Sequence, residues 1–458
     1  MEKIVKQSIY LLLLLVLCSC QNEDENPIPN NGGENAETGY EQYGIPFDNV
    51  PDTKDITMYE VNLRAFSSGG DIQGVIDDLD HIESLGINVI WLMPIHPVGQ
   101  INSVNSPYSV KDYKAVSTEY GNLEDLRNLT DEAHSRGIAV IMDWVANHTS
   151  WDNEWIGNTS WYTQDNYGNI IHPLGTNWLD VADLNYDNND MRKAMIDALQ
   201  YWIYEANIDG FRCDFADGVP FDFWQQAFQS MDTIPNREFI LFAEGTREDH
   251  FIAGFDLNFG WQFYDAVKDA FNGQSANKIF TAHNDEYNNL PANKHWIRFT
   301  TNHDESAWDT TPINLFNGKD GALAASVVTI FTGGVPLIYG SQEVGTANNI
   351  PFFSNSTINW NANPDLLDFY KEILQYYSNS QIAKKGQNTV YQHNDIVCFK
   401  KMLDNEEIVI LTNIRNTTIN YTIPSELENT VWTDALSQNT ISLNGQITLA
   451  PYQFYILD

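Results

Sequence analysis

Short apolar runs alternate along the chain with stretches whose apolar residues recur every three or four positions. The runs read ITMYEV (56 to 61), NVIWLM (88 to 93), AVIMDWV (139 to 145), DGFRCDF (209 to 215), FILFAE (239 to 244), GFDLNF (254 to 259), HWIRFT (295 to 300) and VPLIYG (335 to 340). Their length and β-branched content predict strands. Between the first two, Ile72, Val75, Ile76, Leu79, Ile82 and Leu85 share one helical face, and Gly86 stops the helix. The same spacing recurs at 191 to 206 and at 365 to 380. Eight strand-helix units predict an α/β fold, a (β/α)8 barrel of the TIM type, with functional loops leaving the C-terminal ends of its strands.

Two regions break this rhythm. From His148 to Asn189 there is no helical period but many Trp, Tyr, Asn and Gly residues, which predicts a small inserted subdomain after the third strand. From Gln381 to Asp458 short alternating segments such as TVYQH, EIVILTNI and QFYILD are separated by polar turns, which predicts a C-terminal antiparallel β-sandwich domain. The barrel with its insertion is thus expected to occupy 41 to 380.

The start of the chain differs again. Lys3 and Lys6 precede the apolar run Ile9 to Leu17, too short for a membrane span but suited to a secretory signal over 1 to 19. The sequence LCSC at its end resembles a bacterial lipobox, which makes Cys20 the expected lipid anchor in the membrane. Residues 20 to 40 are polar and rich in Pro, Gly and Asn, as a disordered tether would be. An acidic stretch behind such a cysteine resembles the surface signal of Bacteroides-type bacteria, so the expected location is the outer membrane, facing the cell surface, with its periplasmic face as the alternative. Cys213 and Cys398 are expected to be buried free thiols.

Charge narrows the choice of partner. With 24 Lys and Arg against 62 Asp and Glu, the net charge of −38 excludes nucleic acid as a ligand over most of the surface. A neutral ligand is compatible with it.

Charged residues interrupt the apolar strands at their C-terminal ends: Asp214 after Arg212, Glu244 closing FILFAE, and His303-Asp304 after the seventh strand. Three carboxylates at one face of a barrel can divide acid and base roles if their surroundings separate their pKa values, which glycosidic cleavage requires. An arginine fixed beside one carboxylate would keep it ionised as a nucleophile, and a second carboxyl in a less charged setting would stay protonated as the acid.

Four ordered regions resemble the α-amylase family of glycoside hydrolases: DWVANH (143 to 148), GFRCDFADG (210 to 218), FAEG (242 to 245) and FTTNHD (299 to 304). VADLN (181 to 185), SPYSVKDY (106 to 113) and GVPLIYGSQE (334 to 343) resemble further family signatures. The resemblance implies Asp214 as nucleophile, Glu244 as acid and base, and Asp304 as the third carboxylate. It implies that Tyr108, His148, Arg212 and His303 bind or orient the sugar, with Asp143 supporting Arg212. It also implies a structural calcium ion held by Asn147, Asp183 and a carbonyl near Gly218, in keeping with oxygen donors.

The implied reaction is retaining, endo-acting hydrolysis of α-1,4-glucosidic bonds in starch and maltooligosaccharides. Alternatives are action on short α-glucans, α-1,6 branches or cyclodextrins, sugar transfer, or a non-catalytic starch-binding protein. Glycan-uptake proteins at the cell surface are the further partners implied. One departure stands out: many relatives with α-amylase activity carry Lys-His where this chain has Asp217 and Gly218. Trp151, Trp155, Trp161, Tyr162 and Trp178 are expected to divide between sugar platforms and the insertion's own core.

Overall fold

The structure is a computed structural model that describes residues 39–458, so the expected signal, Cys20 and nearly all of the tether lie outside the described residues. Eight parallel strands close a barrel: β1 (Met58–Val61), β2 (Val89–Leu92), β3 (Ala139–Val145), β4 (Gly210–Asp214), β5 (Ile240–Ala243), β6 (Leu257–Phe259), β7 (His295–Arg298) and β8 (Val335–Tyr339). They follow one another around the ring, and β8 closes on β1 through Met58 opposite Leu337. All eight expected strands are present. The helix expected over 72 to 85 is instead two segments, Ile72–Asp77 and Leu79–Ser84, separated at Asp78, whose φ of −111° and ψ of 15° leave the helical region.

Alternation along the strands sorts their side chains into two cores. Inward residues Met58, Val89, Trp91, Ile141, Ile240, Phe242, Leu257, Phe259, Ile297 and Leu337 fill the barrel. Their outward neighbours, including Tyr59, Ile90, Val140, Phe211 and Leu241, join the larger core beneath the surrounding helices. Because side chains repeat every two residues, the inward rows run on to Glu60, Asp143, Arg212, Asp214 and Glu244 at the C-terminal mouth. The charged residues are the top layer of an otherwise apolar filling.

The insertion is a hairpin, His148–Ser150 paired with Val181–Asp183, with short 3-10 turns at Glu154–Gly157 and Thr159–Trp161 between its arms. After a helix at Pro364–Asn379 and a turn of helix at Gln381–Lys385, the C-terminal domain begins its sheet at Gln387. Four antiparallel strands lie in the order Gln387–Val390, Ile396–Leu403, Glu406–Asn413 and Phe454–Leu457. One face, with Ile396, Cys398, Val409 and Leu411, packs on Tyr421, Leu443 and Leu449 of two further strand pairs. The other face, with Val397, Phe399, Ile408 and Ile410, joins the barrel's outer core. Cys213 and Cys398 are buried and unpaired. Among the described residues no helix is long and apolar enough to cross a membrane.

Candidate active site

Arg212 organises the mouth of the barrel. Its Nη1 donates to both carboxyl oxygens of Asp143 at 2.9 and 3.1 Å and to Asp214 Oδ1 at 3.1 Å. Its Nη2 lies 3.0 Å from Glu244 Oε1. The guanidinium also sits over the Trp91 ring, 4.9 Å from its centroid, and Trp91 Nε1 donates to Asp143 at 3.1 Å. Burial disfavours the charge on Arg212, yet Asp143, Glu244 and Asp214 together push its pKa well above the ordinary value.

The same guanidinium that holds Asp214 also holds Glu244, so the two carboxyls do not sit in separately charged settings. Glu244 further accepts from the backbone N–H of Phe215 at 2.8 Å. That donor is aimed by an unusual backbone: Phe215 has a φ of 40°, a left-handed conformation uncommon for a bulky residue. Burial raises the pKa of Asp214 well above the usual carboxylate range, with Glu244, Asp143 and Asp304 adding to it and Arg212 opposing. Burial raises Asp143 too. Arg212 thus offsets only part of the cost of charging Asp214 and Asp143.

His303 forms the second focus. Its Nδ1 is hydrogen-bonded to Glu60 and its Nε2 lies 2.8 Å from the Tyr108 hydroxyl and 3.5 Å from Asp304 Oδ2. Burial works against the charged ring, but Asp304 and Glu60 outweigh it and the pKa rises to about 9. Tyr108 stacks on His303 with centroids 5.5 Å apart and donates to Asp143 at 3.2 Å, linking the two foci. Glu60 is a site residue that the strand-end reading passed over, although it interrupts ITMYEV as Asp214 interrupts its own strand. Asp304 is the more open of the acids, with 38% of its side chain exposed.

His148 is buried and neutral, its pKa lowered to about 4 by burial, and its Nδ1 is 3.2 Å from the Asn147 amide. Asp183 is paired with His148 across the hairpin, and a Cβ at Gly218 would stand 2.4 Å from Asn147 Oδ1. The three residues expected to hold calcium thus lie where the insertion meets the barrel. Their donors are all oxygen, and burial raises the Asp183 pKa, a cost a bound cation would reverse. Among the described residues no group of three His, Cys, Asp or Glu side chains could hold a metal, so backbone carbonyls and water would have to complete the shell.

Asp217 is bound to a neighbouring loop. Its carboxylate accepts from Thr246 N at 3.0 Å, Thr246 Oγ1 at 2.9 Å and Arg247 N at 3.3 Å, tying the loop after β4 to the loop after β5. Of the insertion's aromatics, Trp155 stacks on Tyr113 and meets Trp161 edge to face, while Tyr162 is buried. Trp178 reaches the mouth, 5.0 Å from Phe215 and 5.6 Å from His148.

The catalytic-domain model of α-amylases matches residues 33–173 and 157–395, and the C-terminal-domain model of maltogenic amylases matches residues 388–456. The chain belongs to the α-amylase family of glycoside hydrolases. It is 26% identical to α-amylase 2 of Dictyoglomus thermophilum, over 82% of this chain and 69% of that protein. It is 27% identical to a cyclomaltodextrinase of Thermoanaerobacter pseudethanolicus, over 75% of this chain and 63% of that one. The crystal structure of an α-amylase from Lactobacillus plantarum superposes with a TM-score of 0.80 at 26% identity, covering 89% of this chain and 99% of that one. The chain is therefore an α-amylase-type glycoside hydrolase, and its relatives support an α-glucan as substrate.

Proposed function

We propose that the protein is a retaining hydrolase of α-1,4-glucosidic bonds whose better substrates are short maltooligosaccharides and cyclodextrins rather than long starch chains. The observation that carries retention is one guanidinium bonded to both Asp214 and Glu244. This confines the two carboxyls and favours the spacing of about 5 to 5.5 Å used for covalent catalysis over the wider gap that admits water. Asp214 attacks the anomeric carbon as Glu244 gives its proton to the departing oxygen. Glu244 then takes a proton from water, whose oxygen displaces Asp214. The Phe215 N–H and Arg212 hold Glu244 in place through both steps. Asp304, with cationic His303 beside it, binds the sugar hydroxyls as positive charge grows on the ring.

Two observations support the short-glucan preference. The Asp217 carboxylate is spent on the loop after β5 instead of reaching toward the leaving chain. The terminal domain matches the maltogenic amylase type, and a cyclomaltodextrinase is among the relatives. Product analysis on maltoheptaose, β-cyclodextrin, soluble starch and pullulan tests this, with proton NMR following the anomer first released. A higher kcat/KM on the short substrates is expected, along with a loss of at least about 10³-fold for Asp214→Asn. An active Asp214→Asn protein, or inversion of the anomer, would overturn the mechanism.

A structural calcium ion at Asn147 and Asp183 belongs to the same proposal, pinning the insertion to the barrel and taking no part in the bond changes. Chelation should lower the melting temperature, and added calcium should restore it; an unchanged melting curve counts against the ion. Anchoring through Cys20, with the cell surface as the site of action, is proposed from the sequence alone. A labelled palmitate analogue should enter the full-length chain and not its Cys20→Ala variant.

A further inference from the structure

Trp308 is 65% exposed, the most open tryptophan among the exposed large apolar residues, yet its surroundings are tightly built. It lies four residues after Asp304, in a single turn of π-helix, Glu305–Asp309. Its ring meets Phe352 and Phe353 edge to face, at 5.6 and 5.3 Å between centroids. Phe352 in turn lies 5.2 Å from His303 and 5.9 Å from Tyr108, so an aromatic wall runs outward from the sugar-binding focus.

Polar contacts fix this wall from behind. The Asn349 amide donates to the carbonyls of Ala307 and Asp309, on either side of Trp308. Buried Arg64 donates to the carbonyls of Phe352 and Asn105 at 2.8 Å each, and the Asn105 amide donates to the Phe353 carbonyl at 2.6 Å. A solvent-facing indole held on a stitched backbone is preorganised to stack a ring without ordering a loop first. Pyranose rings present apolar C–H faces, which suit such a surface.

Position decides which sugar it meets. Trp308 follows β7 and the two phenylalanines follow β8, whereas Glu244 and Asp217 follow β5 and β4. In the ring of eight strands, β8 stands opposite β4. The wall therefore lies across the mouth from Asp214 and Asp217 and continues outward from His303 and Tyr108 rather than from the general acid, on the side of the sugar that stays with the enzyme. We propose that Trp308 is a stacking platform for the second or third glucose unit on the non-leaving side of a linear α-glucan. This rests on the α-glucan reading of the active site.

Steady-state kinetics of wild type, Trp308→Ala and Trp308→Phe on maltoheptaose and maltotriose test it, with melting temperatures as a check on folding. A stacked ring worth roughly 1 to 1.5 kcal/mol predicts about a tenfold rise in KM for maltoheptaose in Trp308→Ala. A smaller rise is expected for maltotriose, and Trp308→Phe should recover most of the loss. Maltoheptaose should also quench tryptophan fluorescence in Asp214→Asn, and less so in Asp214→Asn with Trp308→Ala. A KM for maltoheptaose unchanged in Trp308→Ala overturns the platform while the catalytic reading stands. A wild-type protein that cleaves no α-glucan overturns that reading, and the ligand class assigned here with it.

Discussion

Arg212 and Lys401 are both cations with about 1% of their surface exposed, but they respond to burial in opposite ways. Arg212 faces the carboxylates of Asp143, Asp214 and Glu244, and its charge is reinforced. Lys401 lies on the barrel-facing side of the C-terminal sheet and donates to the carbonyl of Phe331 at 3.0 Å, at the end of the helix Lys319–Thr332. Among the described residues no carboxylate pairs with it, and burial lowers its pKa to about 7. The barrel mouth can bury several charges because they neutralise one another around a planar, five-donor group; the domain interface buries one that no carboxylate among the described residues neutralises.

Removing Arg212 is the harshest way to break this contrast. Arg212→Leu leaves three carboxyls packed at the mouth without their shared cation, and breaking a buried ionic cluster costs about 3 to 5 kcal/mol. Urea unfolding at pH 7 should report a loss of that order, and hydrolysis should fall below detection. Near-normal stability in this variant would mean that the carboxyls shed their charge cheaply, and the account of Arg212 as the organising group would fall.

Removing Lys401 should do the reverse. Its folded pKa of about 7 lies below the ordinary 10.5, so between these values the unfolded chain holds a proton that the folded chain has lost. The penalty on folding is full below about pH 7 and fades as pH rises toward 10.5. Lys401→Met should therefore stabilise the protein, by about 1 to 4 kcal/mol at pH 6.5, despite losing the bond to Phe331. The gain should shrink at pH 9.5. A destabilised variant, or a gain independent of pH, would show that Lys401 is held as a compensated charge after all.

The two cations also differ in how far the sequence discloses them. Arg212 stands two residues from Asp214 in a short motif, and alternation alone puts both on the inward side of β4. The barrel was legible for the same reason, since each βα unit is a local pattern. Lys401 sits in IVCFKKML, where alternation assigns it to a face but cannot say that the helix Lys319–Thr332 covers that face. Glu60 meets His303 across 243 positions of chain, and Phe352 meets Trp308 only because neighbouring loops leave one rim. Even at the mouth, sharing of one guanidinium between Asp214 and Glu244 depends on strand register, which local spacing does not contain.

His303 falls between the two cations, because burial opposes its charge and two carboxylates restore it. With a folded pKa of about 9 against an ordinary 6.5, it adds stability that is complete below pH 6.5 and lost as pH rises through 9. Glu60→Gln keeps the shape and a hydrogen-bonding oxygen but removes one of those carboxylates, while Asp304 remains. The His303 pKa should fall by about one unit, equivalent to about 1.4 kcal/mol. If the cationic ring binds the sugar together with Asp304, the alkaline limb of kcat/KM moves down by the same interval while the acid limb stays. A Glu60→Gln enzyme with an unshifted alkaline limb would transfer that limb to another group and leave Glu60 a purely structural acid. In that outcome Arg212 would be the only buried cation whose charge the reaction requires.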